Sequence, residues 1–237
     1  MTYKILKNPV GIVEFTLKTG EKIIAEAGAL VYIRGEISTK TRMRKKGFFK
    51  SLKVAFLGGE SFFVNEFTAE EDDSKLALTG NMVGDIESIP IKEQFIIQSG
   101  AFISSTEGLT LDTQWQGFVK GLFGTNLFML KTIGEGTVFV NGYGGIIRKT
   151  LKNGEKMLVD NYQLVAFSSK ISYRITKHGS LKSTLLGGEA LLIELIGPGE
   201  VYIQTKSIME FARALTPYLP KESKKTNAAD SALSSFF

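Results

Sequence analysis

Leu17-Lys18-Thr19-Gly20-Glu21-Lys22-Ile23-Ile24-Ala25-Glu26 returns in the last third of the chain as Leu151-Lys152-Asn153-Gly154-Glu155-Lys156-Met157-Leu158-Val159-Asp160. Both copies place a glycine ahead of a short apolar run. The same offset lays Leu30-Val31 on Leu164-Val165, and an intermediate copy at Phe102-Ile103 divides it into two steps, the first slightly the longer. Self-similarity at fixed steps is the signature of a chain built from repeated units. Three units are expected, at about 11–90, 91–150 and 151–206.

The steps predict a further strand in each unit. Ile37, Thr39, Thr41 and Met43 map to Leu109, Leu111, Thr113 and Trp115, then to Ile171, Tyr173 and Ile175. Polar residues alternate with them, the period-two pattern of a half-buried strand, with Trp115 on the inward face. Each unit then carries a glycine-bounded loop, starting at Gly47, Gly117 and Gly179, and an apolar strand, Phe62-Phe63-Val64, Phe128-Met129-Leu130 or Leu191-Leu192-Ile193. Gly134-Glu135-Gly136 and Gly197-Pro198-Gly199 read as tight hairpin turns, replaced in the first unit by the longer, acidic Glu70-Glu71-Asp72-Asp73. Short Val, Ile, Phe and Tyr strands punctuated by 25 glycines define the expected fold class as all-β.

Only the C-terminal region reads as helical. Ser207 and Glu210 form a capping box, Ile208, Phe211, Ala212 and Leu215 an apolar stripe, and Pro217 a stop, giving a short helix at 207–216. One all-β domain therefore occupies residues 1–219 together with this helix, and 220–237 is expected to be a flexible polar tail ending in Phe236-Phe237.

The 237 residues include no cysteine and one histidine, His178. Disulfide frameworks, thiolate nucleophiles and Cys/His zinc sites are thereby excluded, and a Ser-His-Asp triad has a single candidate base with no carboxylates placed near it. The expectation is a non-enzymatic protein with no cofactor and no metal. The acidic run at Glu70 lacks the ligand spacing of a calcium loop, and Gly134-Glu135-Gly136 lacks the third glycine and following helix of a dinucleotide fingerprint. A polar N-terminal stretch and the absence of any apolar run long enough to span a bilayer lead to a cytoplasmic expectation. The net charge of +5 is mild.

The stretches Val159-Asp160-Asn161-Tyr162-Gln163-Leu164-Val165-Ala166-Phe167, Leu186-Gly187-Gly188-Glu189-Ala190-Leu191-Leu192 and Gly197-Pro198-Gly199-Glu200-Val201-Tyr202-Ile203-Gln204-Thr205 resemble a widespread, largely uncharacterised bacterial and archaeal family. Its eukaryotic relatives are the altered-inheritance-of-mitochondria proteins, number twenty-four, associated with mitochondrial biogenesis. The resemblance covers roughly Gly11 to Leu215. It implies a fold like the tryptophan RNA-binding attenuator protein, a double-stranded β-helix type of unit fused three times into a pseudo-threefold body that assembles further. It supplies no catalytic residue, and a fold alone does not settle function.

Two surfaces are candidates for contact with partners. Lys40, Arg42, Arg44, Lys45, Lys46 and Lys50 form a basic segment beside two aromatics, suited to phosphates or to an anionic bilayer; a solvated edge strand guarded by lysines is the plain alternative. The cations do not recur, since Lys40 maps to Asp112 and then Arg174, which makes nucleic acid the weaker partner. Apolar loops do recur, through Phe48 and Phe49, Phe118 and Leu122, and Leu181 and Leu185, and demand burial by a partner subunit, a membrane or the chain's own core. The expected role is an assembly or scaffold module, a homo-oligomer with a trimer among its expected states, contacting a protein partner or a membrane surface. RNA binding through Lys40 to Lys50, or a small ligand between units, are the alternatives.

Overall fold

The structure, a computed structural model, describes residues 1–7, 10–43, 63–112, 129–176 and 192–219. The chain divides into two compact units, Met1–Ser207 and Ile208–Phe237. In the second, helix α1 (Ile208–Leu215) carries the expected apolar stripe, and none of its residues is buried. A 3-10 turn, Thr216–Tyr218, follows it and holds Pro217 near its start, where a missing N–H is harmless.

The first unit is all-β. Its first seven strands are β1 (Thr2–Lys7), β2 (Gly11–Leu17), β3 (Lys22–Glu26), β4 (Leu30–Arg34), β5 (Ile37–Met43), β6 (Phe63–Ala69) and β7 (Ser74–Leu78). Six more follow: β8 (Ile86–Ile91), β9 (Phe95–Gln98), β10 (Phe102–Thr106), β11 (Leu109–Asp112), β12 (Met129–Gly134) and β13 (Gly136–Asn141). The last six are β14 (Ile146–Leu151), β15 (Lys156–Asp160), β16 (Leu164–Ser168), β17 (Ser172–Thr176), β18 (Leu192–Ile196) and β19 (Gly199–Gln204).

Among the described residues these strands form four antiparallel sheets, ordered β1-β2-β7-β4, β5-β6-β3-β10-β13-β8, β11-β12-β9-β16-β19-β14 and β15-β18-β17. A β-bulge interrupts β4 against β7 between Leu30 and Tyr32, β10 against β13 between Phe102 and Ser104, and β16 against β19 between Leu164 and Ala166. The extra residues are Val31, Ile103 and Val165, which fall at the same two steps that separate the sequence copies.

The quoted copies also share their hydrogen bonds. Glu21 Oε2 accepts from the Lys18 N–H at 2.9 Å, and Glu155 Oε2 from the Lys152 N–H at 2.7 Å. Between each pair a glycine, Gly20 (φ +82°) or Gly154 (φ +75°), takes the left-handed conformation that tightens the turn.

Gly134-Glu135-Gly136 and Gly197-Pro198-Gly199 are not hairpin turns. They are corners at which the chain leaves one sheet for another, β12 to β13 and β18 to β19, and the acidic run at Glu70 makes the equivalent passage from β6 to β7. Gly134 pairs with Leu109 while Gly136 pairs with Ile91. The positive φ of Gly134 (+98°) turns the chain out of the first partner's plane instead of folding it back on itself. The alternation expected for the three long strands holds at Leu109 and Leu111, which are buried around exposed Thr110. It fails in β5, where Thr39, Lys40 and Thr41 are all exposed. Trp115 lies outside the described residues.

Apolar faces pack where the sheets meet. The Phe15 ring meets Phe139 edge-on at 4.9 Å, joining the first sheet to the second, and Tyr3 meets the same ring at 4.9 Å. Phe15 and Phe139 are fully buried, and each such side chain contributes about 1.5–3 kcal/mol relative to exposure. Within the sheet that holds β9 and β19, Phe95 and Tyr202 meet edge-on at 6.2 Å.

The connections 79–85 and 142–145 are held by buried amides. Asn141 accepts from the Met82 N–H at 2.7 Å and donates to the Asp85 carbonyl at 3.0 Å. Gln204 accepts from the Tyr143 N–H at 2.9 Å and donates to the Tyr162 carbonyl at 2.8 Å. The boundaries expected at 90/91 and 150/151 lie within or at the end of β8 and β14, whereas the irregular connections precede those strands.

Candidate functional site

Among the described residues, no three His, Cys, Asp or Glu side chains converge on a point that a metal ion could occupy. The acidic corner is engaged in local hydrogen bonds. Asp72 accepts from the Thr19 N–H at 2.8 Å and its hydroxyl at 2.9 Å, which hold its carboxyl below the usual range, and Glu71 accepts from the Glu36 N–H at 3.1 Å. The surface features are therefore the hairpins and the sheet ends.

Of the basic segment, Lys40 and the backbone of Arg42 lie in β5, and Arg44, Lys45, Lys46 and Lys50 lie outside the described residues. So do Phe48, Phe49, Phe118, Leu122, Leu181, Leu185 and His178. Their connections leave three hairpins, β5–β6, β11–β12 and β17–β18.

Lys40 stands opposite Glu66, Asp112 opposite Lys131, and Arg174 opposite Glu194. Where the first residue changes sign along the chain, its cross-strand partner changes with it, and opposite charges so placed attract. The third pair forms an ion pair and an Arg174 Nη2 to Glu194 Oε1 hydrogen bond at 3.1 Å. The guanidinium holds the Glu194 carboxyl below the usual carboxylate range. Single-strand reading hides this compensation, since each partner lies on the next strand, many residues away in the chain; the signal available was the covariation of sign at Glu66, Lys131 and Glu194.

The second feature was missed in sequence reading. Leu30, Val31, Tyr32 and Ile33 of β4 are all exposed, although their sequence counterparts in β10 and β16 are buried. Val31 is 46% exposed, against 0% for both Ile103 and Val165. A run of exposed apolar residues on an end strand is a template for further strand pairing.

One polar row organises this strand. Lys4 pairs in register with Glu14, Glu14 with Ala77, and Tyr32 with Ala77, so the four residues cross β1, β2, β7 and β4 in line. Ala77 is small enough for the Tyr32 phenol to reach over it and donate to the Glu14 carboxylate, which Lys4 Nζ also contacts at 2.8 Å. The Lys4 and Tyr32 hydrogen bonds draw the Glu14 carboxyl below its ordinary range, and the Glu14 bond pushes the Tyr32 phenol up. In the other two sheets the volumes are exchanged: Ser104 faces Phe139, and Ala166 faces Tyr202. There the middle-strand ring is buried, Phe139 against Phe15 and Tyr3 of the first sheet and Tyr202 against Phe95 of its own, whereas Tyr32 carries its ring at the open edge.

The β unit has relatives of similar length. An uncharacterised protein of Streptococcus pyogenes serotype M6 is 31% identical over 220 residues, covering 90% of this chain and 88% of the relative. The X-ray crystal structure of a Streptococcus pyogenes protein superposes with a TM-score of 0.74 at 28% identity, covering 92% of this chain and 99% of that one. The family model described as Mitochondrial biogenesis AIM24 matches residues 3–206, nearly the whole β unit. This chain belongs to the Mitochondrial biogenesis AIM24 family.

Proposed function

We propose that this chain is a triplicate of one six-strand, attenuator-like unit that acts without catalysis, as a module that assembles with copies of itself into a scaffold. The observation that carries this reading is the exposure of Val31 beside its buried counterparts Ile103 and Val165. In the second and third units that position lies on a strand paired with the preceding unit; in the first, no described strand covers the outer edge of β4. The three bulges, the two matching glutamate-capped turns and the recurring charge pairs support the triplicate. Native mass spectrometry of the full chain at micromolar concentration tests the assembly, with a discrete oligomer expected. Val31→Asp should dissociate it into monomers whose circular dichroism stays that of the folded chain, because Val31 is already exposed in the single chain. A wild-type protein that stays monomeric would overturn the reading.

A membrane surface is a second reading, supported by the three apolar connections leaving equivalent hairpins, which an oligomer would multiply. Flotation with anionic and neutral vesicles tests it, and equal exclusion from both counts against it. No helix among the described residues is long and apolar enough to cross a membrane. RNA binding loses support because Lys40 faces Glu66; nothing in the described residues favours a small ligand between units.

A further inference from the structure

The assembly reading leaves the partner strand unnamed, and the sheet order supplies it. Each six-stranded sheet is two three-strand halves joined at one seam. The halves β5-β6-β3 and β10-β13-β8 meet at β3 and β10, and the halves β11-β12-β9 and β16-β19-β14 meet at β9 and β16. The seams share a register, with Ala25, Ile24 and Ile23 opposite Ser104, Ser105 and Thr106, and Ile97, Ile96 and Phe95 opposite Ala166, Phe167 and Ser168.

Among the described strands two halves remain unjoined, β17-β18-β15 and β4-β7-β2, the latter extended by β1. Apart from β1, which has no counterpart, and from β4 and β15, every end strand has counterparts that also end a sheet or, in β2, one covered by β1. Of the described strands, only β4 and β15 end sheets while both of their counterparts are internal, β10 and β16 for the first and β3 and β9 for the second. Both carry apolar exposure that is smaller at the existing seams: Leu158 of β15 is 51% exposed, whereas its counterpart Ile96 is buried and its counterpart Ile24 half-buried.

Resting on the assembly reading, we infer that β4 of one copy pairs antiparallel with β15 of a second copy, Tyr32 opposite Val159, Ile33 opposite Leu158 and Arg34 opposite Met157. The seam completes a third six-stranded sheet, lengthened by β1, and satisfies two rows of open backbone N–H and C=O groups. It joins two different surfaces, so every copy offers one of each, and the assembly grows head to tail until it closes as a ring or extends as a filament.

The absence of cysteine from the chain makes the register testable. Ile33→Cys and Leu158→Cys, each at an exposed position, are purified separately, mixed under oxidising conditions and run without reductant; residues directly opposite in an antiparallel pair lie about 4.5–5.5 Å apart at Cβ, close to disulfide reach. The expected product is a covalent dimer of one chain of each kind, at least tenfold more abundant than with Ile33→Cys and Lys156→Cys, and absent when either variant is oxidised alone. A dimer from Ile33→Cys alone, equal yields from both mixtures, or no cross-link in an oligomer seen by mass spectrometry would each overturn the seam and leave assembly standing. A cross-link confined to one chain in the double variant I33C/L158C, with monomeric mass, would overturn both.

Discussion

Arg174 of β17 and Glu194 of β18 face each other in register and form an ion pair at the position where the other two hairpins place Lys40 with Glu66 and Asp112 with Lys131. Each pair stands directly across its hairpin, where opposite charges favour the observed register over a slipped one. Arg174→Glu, which opposes two carboxylates, should lower the urea midpoint, and R174E combined with Glu194→Arg should restore much of the loss. Additive effects of the two substitutions would show that no coupling exists.

The Tyr202 hydroxyl is buried and donates to Glu200 at 3.0 Å, and burial first, then the Glu200 charge, pushes its pKa up to about 12. A raised folded-state pKa means that the folded protein holds this proton more tightly than the unfolded chain. The associated stability is complete below about pH 10 and is lost as pH rises toward 12, by about 1–2 kcal/mol. Denaturation followed across this alkaline window should show the loss in the wild type and a flatter profile in Tyr202→Phe.

Asn141 clamps the first connection through one acceptor and one donor contact, both to backbone groups. Asn141→Ala strands these groups in the interior and should cost about 2 kcal/mol, or roughly 4–8 °C in melting temperature for a unit of this size. An unchanged melting temperature would mean that water replaces the amide.

Gly84 and Gly154 separate two reasons for glycine. A methyl group at Gly84 would collide with the carbonyls of Gly142 and Gly144, whereas one at Gly154 meets nothing within 4 Å and is strained only by its φ of +75°. Gly154→Ala should cost about 1 kcal/mol, and Gly84→Ala more than about 3 kcal/mol or the fold itself. Equal losses, measured by urea denaturation, would show that the connection yields to the added carbon.

Periodicity and offset were enough to read short strands, the apolar starts of β6, β12 and β18, and the C-terminal helix from Ser207, because all of these are local interactions. The corners at Gly134 and Gly197 looked like hairpin turns because glycine's freedom serves both purposes. Which one it serves depends on whether the flanking strands share a sheet, and that is settled by partners such as Leu109 and Ile91, distant in the chain. The charges at Lys40, Asp112 and Arg174 were legible one strand at a time; their compensation required the register.

The amino-acid sequence by itself determined that this chain is all-β, that stretches of it recur along the chain, and that thiol and zinc–cysteine chemistry are outside its reach, since these follow from residue identity and short-range pattern. Tertiary structure alone decided which strand edges are filled and which stand open. Leu30-Val31, Phe102-Ile103 and Leu164-Val165 look alike as letters, and burial distinguishes them only because β10 and β16 have a neighbouring strand to complete the sheet, while β4 reaches the end of its sheet with none among the described residues.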